Sequence, residues 1–421
     1  MTKLRTNKRK IFNDPIYGFI SIPYDIIFHL VEHPYFQRLR RITQLGLSNL
    51  VYPGALHTRF HHALGAMHLM GEAIEIIRSK GHEITDDEAI GVTIAILLHD
   101  IGHGPFSHAL ENTLVNKVHH EDLSLLIMER LNKDFDGQLS LAIEIFTNKY
   151  HKKFLHQLVS SQLDMDRLDY LKRDSFYSGV SEGVIGSDRI IKMLEVVNDE
   201  LVIEEKGIYS IEKFLVARRL MYWQVYLHKA VVSAEFILVN ILRRAKELTE
   251  KGHQLFASPP LMAFLANHYT LQDFLANQSI LDQFTQLDDY DILGAIKVWC
   301  KHEDIVLAAL CNAMVNRKLF KTKTSDLPTE PKTKEALVKL AAEYYQVPED
   351  DAAYFVIDVP MSNNAYSLQN ESINILEKNG TIKDVSKASD NLNISALSKP
   401  VTKYFLCLPK EVFKRAVNGV L

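Results

Sequence analysis

The chain has 421 residues, 47% hydrophobic and 24% charged, which is enough apolar material for a sizeable core and excludes a disordered or fibrous protein. Its 48 basic and 52 acidic residues give a net charge of −4, so no whole-protein basic field exists for nucleic acid, and any phosphate site must be a local patch.

The N-terminus is basic, with Lys3, Arg5, Lys8, Arg9 and Lys10, but no apolar run follows, so a signal peptide is not expected. Residues 10–12 and 19–22 flank the turn-formers Asn13-Asp14-Pro15 and Gly18 and predict a β-hairpin. From Tyr24 the pattern is helical. Phe60, Ala63, Leu64, Met67, Met70, Gly71, Ile74 and Ile77 form a buried stripe. Asp86 is expected to cap the next helix, which Ile90, Ile94, Leu97 and Leu98 pack and Gly102 and Gly104 end. Further helices are expected over 121–132, 139–147 and 155–171. A hairpin over 201–210 would turn at Lys206-Gly207, and a long helix would run over 211–248. More helices extend to 317, and the Lys-, Thr- and Pro-rich stretch 322–334 reads as an exposed connection. Strands are expected at 354–359, 373–376, 381–385 and 404–408, with Asn379-Gly380 as a hairpin turn. The expected fold is mainly α: residues 1–50 complete a helical core, 51–320 form its body, and 321–421 make a smaller α+β lobe.

Three cysteines cannot build a disulfide scaffold; on one helix Cys300 and Cys311 would sit about 16 Å apart. A reducing, cytoplasmic setting is expected. The longest nearly apolar run, 230–242, is too short to span a bilayer.

The chemistry concentrates at His62, His99-Asp100 and Asp166. Residues 99 to 108 hold His99, Asp100, His103 and His108 directly after an apolar helix. Imidazole and carboxylate ligands suit Mn, Fe or Zn. Gly102 and Gly104 would let the backbone tighten there and let a phosphate approach. His62 is expected near the start of its helix, opposite the centre of the apolar stripe. Asp166 and Asp169 form a helical i,i+3 pair. A lone buried histidine is more often a satisfied core residue than a ligand, but the ordered set reverses that judgement. Arg218, Tyr222 and Lys229, four and seven residues apart, would share one helical face, basic and aromatic.

These residues resemble the HD-domain phosphohydrolase superfamily, and within it the deoxynucleoside triphosphate triphosphohydrolases related to the sterile-alpha-motif-and-HD-domain enzyme. The matching segments include Ile11-Phe-Asn-Asp-Pro-Ile-Tyr-Gly18, Phe36-Gln-Arg-Leu-Arg40, Gln44-Leu-Gly46, Tyr52-Pro-Gly-Ala55, Thr58-Arg-Phe60, the block 99–108, His120-Glu121, 164–174 and Tyr226-Leu-His-Lys229. They cover roughly residues 10 to 240; the sterile-alpha-motif domain is not among them.

The resemblance implies hydrolysis of a dNTP to deoxynucleoside and triphosphate, with water attacking the α-phosphorus. It implies a divalent metal on His62, His99, Asp100 and Asp166, with Mg accompanying the nucleotide. His108 matches the catalytic histidine, His103 a phosphate-contacting one, and His120 with Glu111 a supporting His–acid pair in which Glu111 replaces the family's Asp. Gln44 and Asp174 match residues holding the sugar 3′-hydroxyl. Leu45 and Tyr170 match those crowding the 2′ position. Arg59, Arg218 and Lys229 match phosphate ligands, and Tyr226 falls in the substrate site. Lys10, Glu32, Gln37 and Arg40 fall at guanine-nucleotide activator positions, with Glu32 replacing Asp. His61 stands where the family carries an acid and could disturb metal or proton affinities next door. A homo-oligomer, dimer or tetramer, is implied; nucleic acid and membranes are not expected partners.

Two other readings compete: an HD phosphohydrolase for a monophosphate or cyclic nucleotide, and a nucleotide sensor without turnover. The basic trio argues against the first, and the complete ligand set with His108 against the second.

Overall fold

Ile11–Asp14 (β1) and Gly18–Ser21 (β2) pair antiparallel, with Asp14 opposite Gly18. Asp14 closes the turn: its Oδ1 accepts the N–H groups of Ile16 and Tyr17 at 2.9 and 3.1 Å. Here, as throughout, the structure is a computed structural model. It describes residues 10–111, 113–115, 118–367, 372–391, 397 and 399–417, without the side chains of residues 108 and 109.

The helix Asp25–Glu32 follows, and then the central helix Arg59–Ser79. The central helix packs on Asp86–Leu98 and on Met165–Ser178. His62 and Asp166 lie on two of these helices and His99-Asp100 directly follows the third, so the core and the site share one scaffold. Asp86 is not the cap of its helix. Thr85 is, with a capping box to Glu88, because a residue with extended backbone must precede the first helical residue. That helix ends at Leu98, short of the two glycines.

The helices expected over 121–132 and 139–147 are His120–Asp134 and Ser140–Phe146. The segment 155–171 is two helices, Lys153–Val159 and Met165–Ser178. Asp164 separates them: its carboxylate accepts the N–H of Arg167 at 2.7 Å and of Ser161 at 2.8 Å, capping a new helix.

The next hairpin lies earlier than expected. Leu194–Val197 (β3) pairs with Glu200–Glu204 (β4) around Asn198-Asp199, whose φ of 52° and 66° fit a tight hairpin turn. Lys206-Gly207 instead forms a short 3₁₀ turn that leads into the helix Ile208–Met221. The long helix is broken as well. Tyr222–Tyr226 widens to a π-turn, His228 caps the restart through the N–H of Ala230, and Lys229–Glu250 leaves at 57°.

Lys321–Ser325 (β5) turns part of the expected connection into the edge of an antiparallel sheet ordered β5-β9-β6, with β6 at Ile357–Asn363 and β9 at Val401–Leu408. An edge strand bears Lys and Thr readily, which is why its composition read as a loop. Asn374–Leu376 (β7) and Ile382–Asp384 (β8) flank the turn at Gly380, whose φ is +84°. β7 pairs parallel with β4, completing the sheet β3-β4-β7-β8. Among the described residues no single helix is long and apolar enough to cross a membrane.

Gly102 packs against the start of the helix His120–Asp134. A Cβ there would lie 2.2 Å from the Ser124 nitrogen and 2.3 Å from the His120 oxygen. The close approach it permits is therefore to helix backbone. Backbone cannot yield as a flexible side chain would, so Gly102→Ala should cost roughly 1–3 kcal/mol. Urea unfolding checks this; an unchanged midpoint would show that the loop has room to move.

Candidate active site

His62 sits in the first turn of the central helix and is fully buried, not on the open face expected of it. Its Nδ1 lies 2.8 Å from Asp169 Oδ2. Its Nε2 faces Asp166 Oδ1 at 3.0 Å and Asp100 Oδ2 at 3.8 Å. His99 is fixed in the same way: Nδ1 lies 2.7 Å from the Ile96 carbonyl, and Nε2 lies 3.4 Å from Asp100 and 3.5 Å from Asp166. Neither Nε2 makes a well-aligned hydrogen bond among the described residues. The two imidazole nitrogens, uncommitted, thus converge with Asp166, and Asp100, which Arg59 also engages, stands beside them. This donor set fits a divalent metal.

Electrostatics agree. Burial works against charge on His62, yet Asp166 and Asp169 outweigh it and raise the imidazole to about 10. Burial should raise Asp100, but His103, His99 and Arg59 hold it well below the usual carboxylate range. Asp100 is thus held ionised, the form in which a carboxylate meets a cation.

A second cluster adjoins the first. His103 Nε2 lies 3.6 Å from Asp100 Oδ1, and its ring centroid is 3.8 Å from that of His120. His120 Nδ1 lies 3.1 Å from Glu111 Oε1, so the expected His–acid pair meets despite the longer side chain. Arg59 Nη1 donates to Asp100, and Nη2 donates to Ser107 at 3.2 Å. Phe106, at φ 50°, turns the backbone between these groups. Beneath them the fully buried Arg38 donates to the carbonyls of Leu287, Ile101 and His103 at 3.0, 3.2 and 2.6 Å. Sequence reasoning left Arg38 without a role, although it sits in the segment Phe36–Arg40.

Both clusters open into one pocket of about 600 Å³. Gln44, Leu45, Arg59, Tyr170, Asp174, Arg218 and Tyr226 line it. Arg218 is buried, and its Nε and Nη1 have no hydrogen-bond partner among the described residues. Both Asp174 oxygens are engaged, one with His57 at 2.8 Å and one by the Tyr226 hydroxyl at 2.7 Å. Arg167 and Glu235 also line the pocket and were missed. Arg167 was findable, lying one residue after Asp166.

Other expected residues fall elsewhere. Lys229 is exposed and outside the pocket, because the break after Tyr226 ends the common face with Arg218 and Tyr222. The His108 side chain lies outside the described residues. His61 turns its Nδ1 to the Thr58 N–H at 3.2 Å, completing the helix cap, and burial lowers its pKa. Lys10 and Glu32 pair at the surface at 3.6 Å. Gln37 donates to the Val31 carbonyl at 2.7 Å and accepts from Arg40 at 2.9 Å.

The profile of the HD domain matches residues 59–174, which contain all four candidate ligands, and that of the HD associated region matches 185–257. The chain belongs to the HD-domain phosphohydrolases. A phosphohydrolase structure from Bacteroides thetaiotaomicron is 56% identical, with a TM-score of 0.92 over 95% of this chain and all of that one. The uncharacterized protein YwfO of Bacillus subtilis is 33% identical over 97% of this chain and 94% of its own. The deoxynucleoside triphosphate triphosphohydrolase SAMHD1 homolog of Dictyostelium discoideum is 33% identical over 58% of this chain. The match spans about half of that relative's length, 51%.

With the HD pair at its centre, the site depends on Asp169 to orient His62. Partners behind a ligand typically contribute 10–100-fold to metal affinity. Asp169→Asn should weaken divalent-metal binding by about that factor while Asp166→Ala abolishes it. Metal titration followed by elemental analysis reads both; undiminished metal in Asp166→Ala would remove it from the ligand set.

Proposed function

We propose that the protein is a metal-dependent dNTP triphosphohydrolase, splitting a dNTP into deoxynucleoside and inorganic triphosphate. The observation that carries this reading is the sharing of one pocket by the His/Asp cluster and three arginines, Arg59, Arg167 and Arg218. Arg218 brings unpartnered N–H groups, and Arg59 and Arg167, which pair with Asp100 and Asp164, add two more guanidiniums that a polyphosphate spans better than a monophosphate or cyclic nucleotide. The triphosphohydrolase named among the relatives points the same way.

In this reading His62, His99, Asp100 and Asp166 hold the metal, which when bound polarises a phosphoryl oxygen and acidifies a water. Arg59 is aimed by Asp100 and Ser107, and Arg218 brings unpartnered N–H groups to the phosphates. His103 contacts the phosphate, and Glu111 orients His120 beside it. His108 donates the proton to the departing 5′-oxygen. Leu45 and Tyr170 crowd the 2′ position, while Gln44 and Asp174 hold the 3′-hydroxyl. Tyr170 cannot swing away easily, since its ring abuts those of His62 and Tyr226 at 6.5 and 6.3 Å. Lys10, Glu32, Gln37 and Arg40 form the candidate surface for an activating dGTP or GTP between subunits of an oligomer.

Purified protein incubated with Mn or Mg and each dNTP, alone and paired with dGTP, should release nucleoside and triphosphate, and rNTPs should be spared. Release of single phosphates would discard the triphosphohydrolase assignment. His108→Ala should retain metal but lose at least 100-fold in turnover, the lower end for a general acid; wild-type rates would remove it from that role.

A further inference from the structure

Glu235 lies on the helix Lys229–Glu250, which packs against Gly46–Leu50 and Ser107–Glu111. Glu235 and Leu238, one turn apart, both line the pocket. Its other helical neighbours, Val231, Val232 and Val239, are buried and apolar. Among the described residues no hydrogen bond or ion pair engages its carboxyl. Burial alone pushes its pKa up to about 7; no arginine of the pocket acts on it. The acid therefore stands apart from Arg59, Arg167 and Arg218. Four other acids line the pocket, Asp100, Asp166, Asp174 and Glu121, and each has a partner, in Arg59, His62, His57 and His120 respectively; Leu227, Leu238 and Met361 are further wall residues.

Glu235 is half-buried, and a carboxyl short of both water and protein partners is met best by donors that a ligand supplies. On the dNTP reading above, the triphosphate takes the arginine end, which leaves the base for the other. We propose that Glu235 is a specificity-determining residue that selects guanine by accepting N1–H and N2–H on its two carboxylate oxygens. Guanine offers two adjacent donors on one edge, the match for a bidentate carboxylate. Hypoxanthine lacks the second donor. Thymine sets its N3–H between two carbonyls that repel the charge. Adenine and cytosine each place a ring-nitrogen acceptor beside their amino group. Pairing with guanine also favours the ionised acid over the neutral one.

The test compares dGTP, dITP, dATP and dTTP on wild-type protein and Glu235→Gln. Binding is measured in EDTA, where turnover stops, and kcat/KM with Mn. Wild type should prefer dGTP to dITP by about tenfold or more in both measurements, as expected for a charge-assisted hydrogen bond. Glu235→Gln should bring that ratio close to one and leave dTTP within twofold. Because the carboxyl has no protein partner, the amide should fold normally, which circular dichroism checks. Turnover of dNTPs with an unchanged dGTP:dITP ratio in the variant overturns this inference alone. Failure of every dNTP to bind or react with wild type overturns the substrate reading and this inference with it.

Discussion

Everything at the site depends on an imidazole that cannot rotate. His62 is held through Nδ1 by Asp169, Asp169 is held by Arg173 at 2.9 Å through both oxygens, and Arg173 reaches Asp14 at 2.8 Å. The chain of charges is fully enclosed, and each member is paired on both sides. Removing one partner of such a buried pair typically costs 3–5 kcal/mol, because a charge is left stranded. Gly65 makes room for it: a Cβ there would lie 2.0 Å from Asp169 and 2.2 Å from Arg173. Thus the N-terminal hairpin, far in sequence from any ligand, anchors the ligand by its turn residue.

A second device fixes the loop that follows His99. Arg38 spends its guanidinium on carbonyls from two distant segments, 101–103 and 287. Asp289 then takes the N–H and hydroxyl of Thr43 at 2.9 and 2.7 Å. Residues 38–43 are consequently clamped from both ends, and Gln44 and Leu45 enter the pocket from a rigid stem. Rigidity of this kind is what substrate positioning needs.

Most of the helical body was legible because its apolar periodicity and glycines act locally. The two clusters were legible from residue type and order, through resemblance to a family. The failures share a physical cause. Asp164 and His228 end one helix and begin another through a single side-chain hydrogen bond, which leaves no periodic trace. Asn198-Asp199 lost to Lys206-Gly207 as the hairpin turn because glycine is the stronger sign of positive φ, although the structure places that φ on Asn and Asp. β5 was invisible because its partner, β9, is about 80 residues away. Arg38 sits in a matching segment, but nothing in that segment says it is buried, and Glu235 lies outside every motif.

The parallel pairing of β4 with β7 has a consequence for how the protein is made. Residues 202–204 leave the ribosome roughly 170 residues before 374–376, their partners. At ~5–20 residues per second the β4 edge waits on the order of ten to thirty seconds with its backbone groups unpaired. Glu200 and Glu204 at the ends of that strand are charges of the kind that keep a bare edge from recruiting another nascent chain. The last part of the polypeptide is thus a late closure of a sheet begun in the helical body, and translation speed across the intervening helices sets how long that sheet stays open.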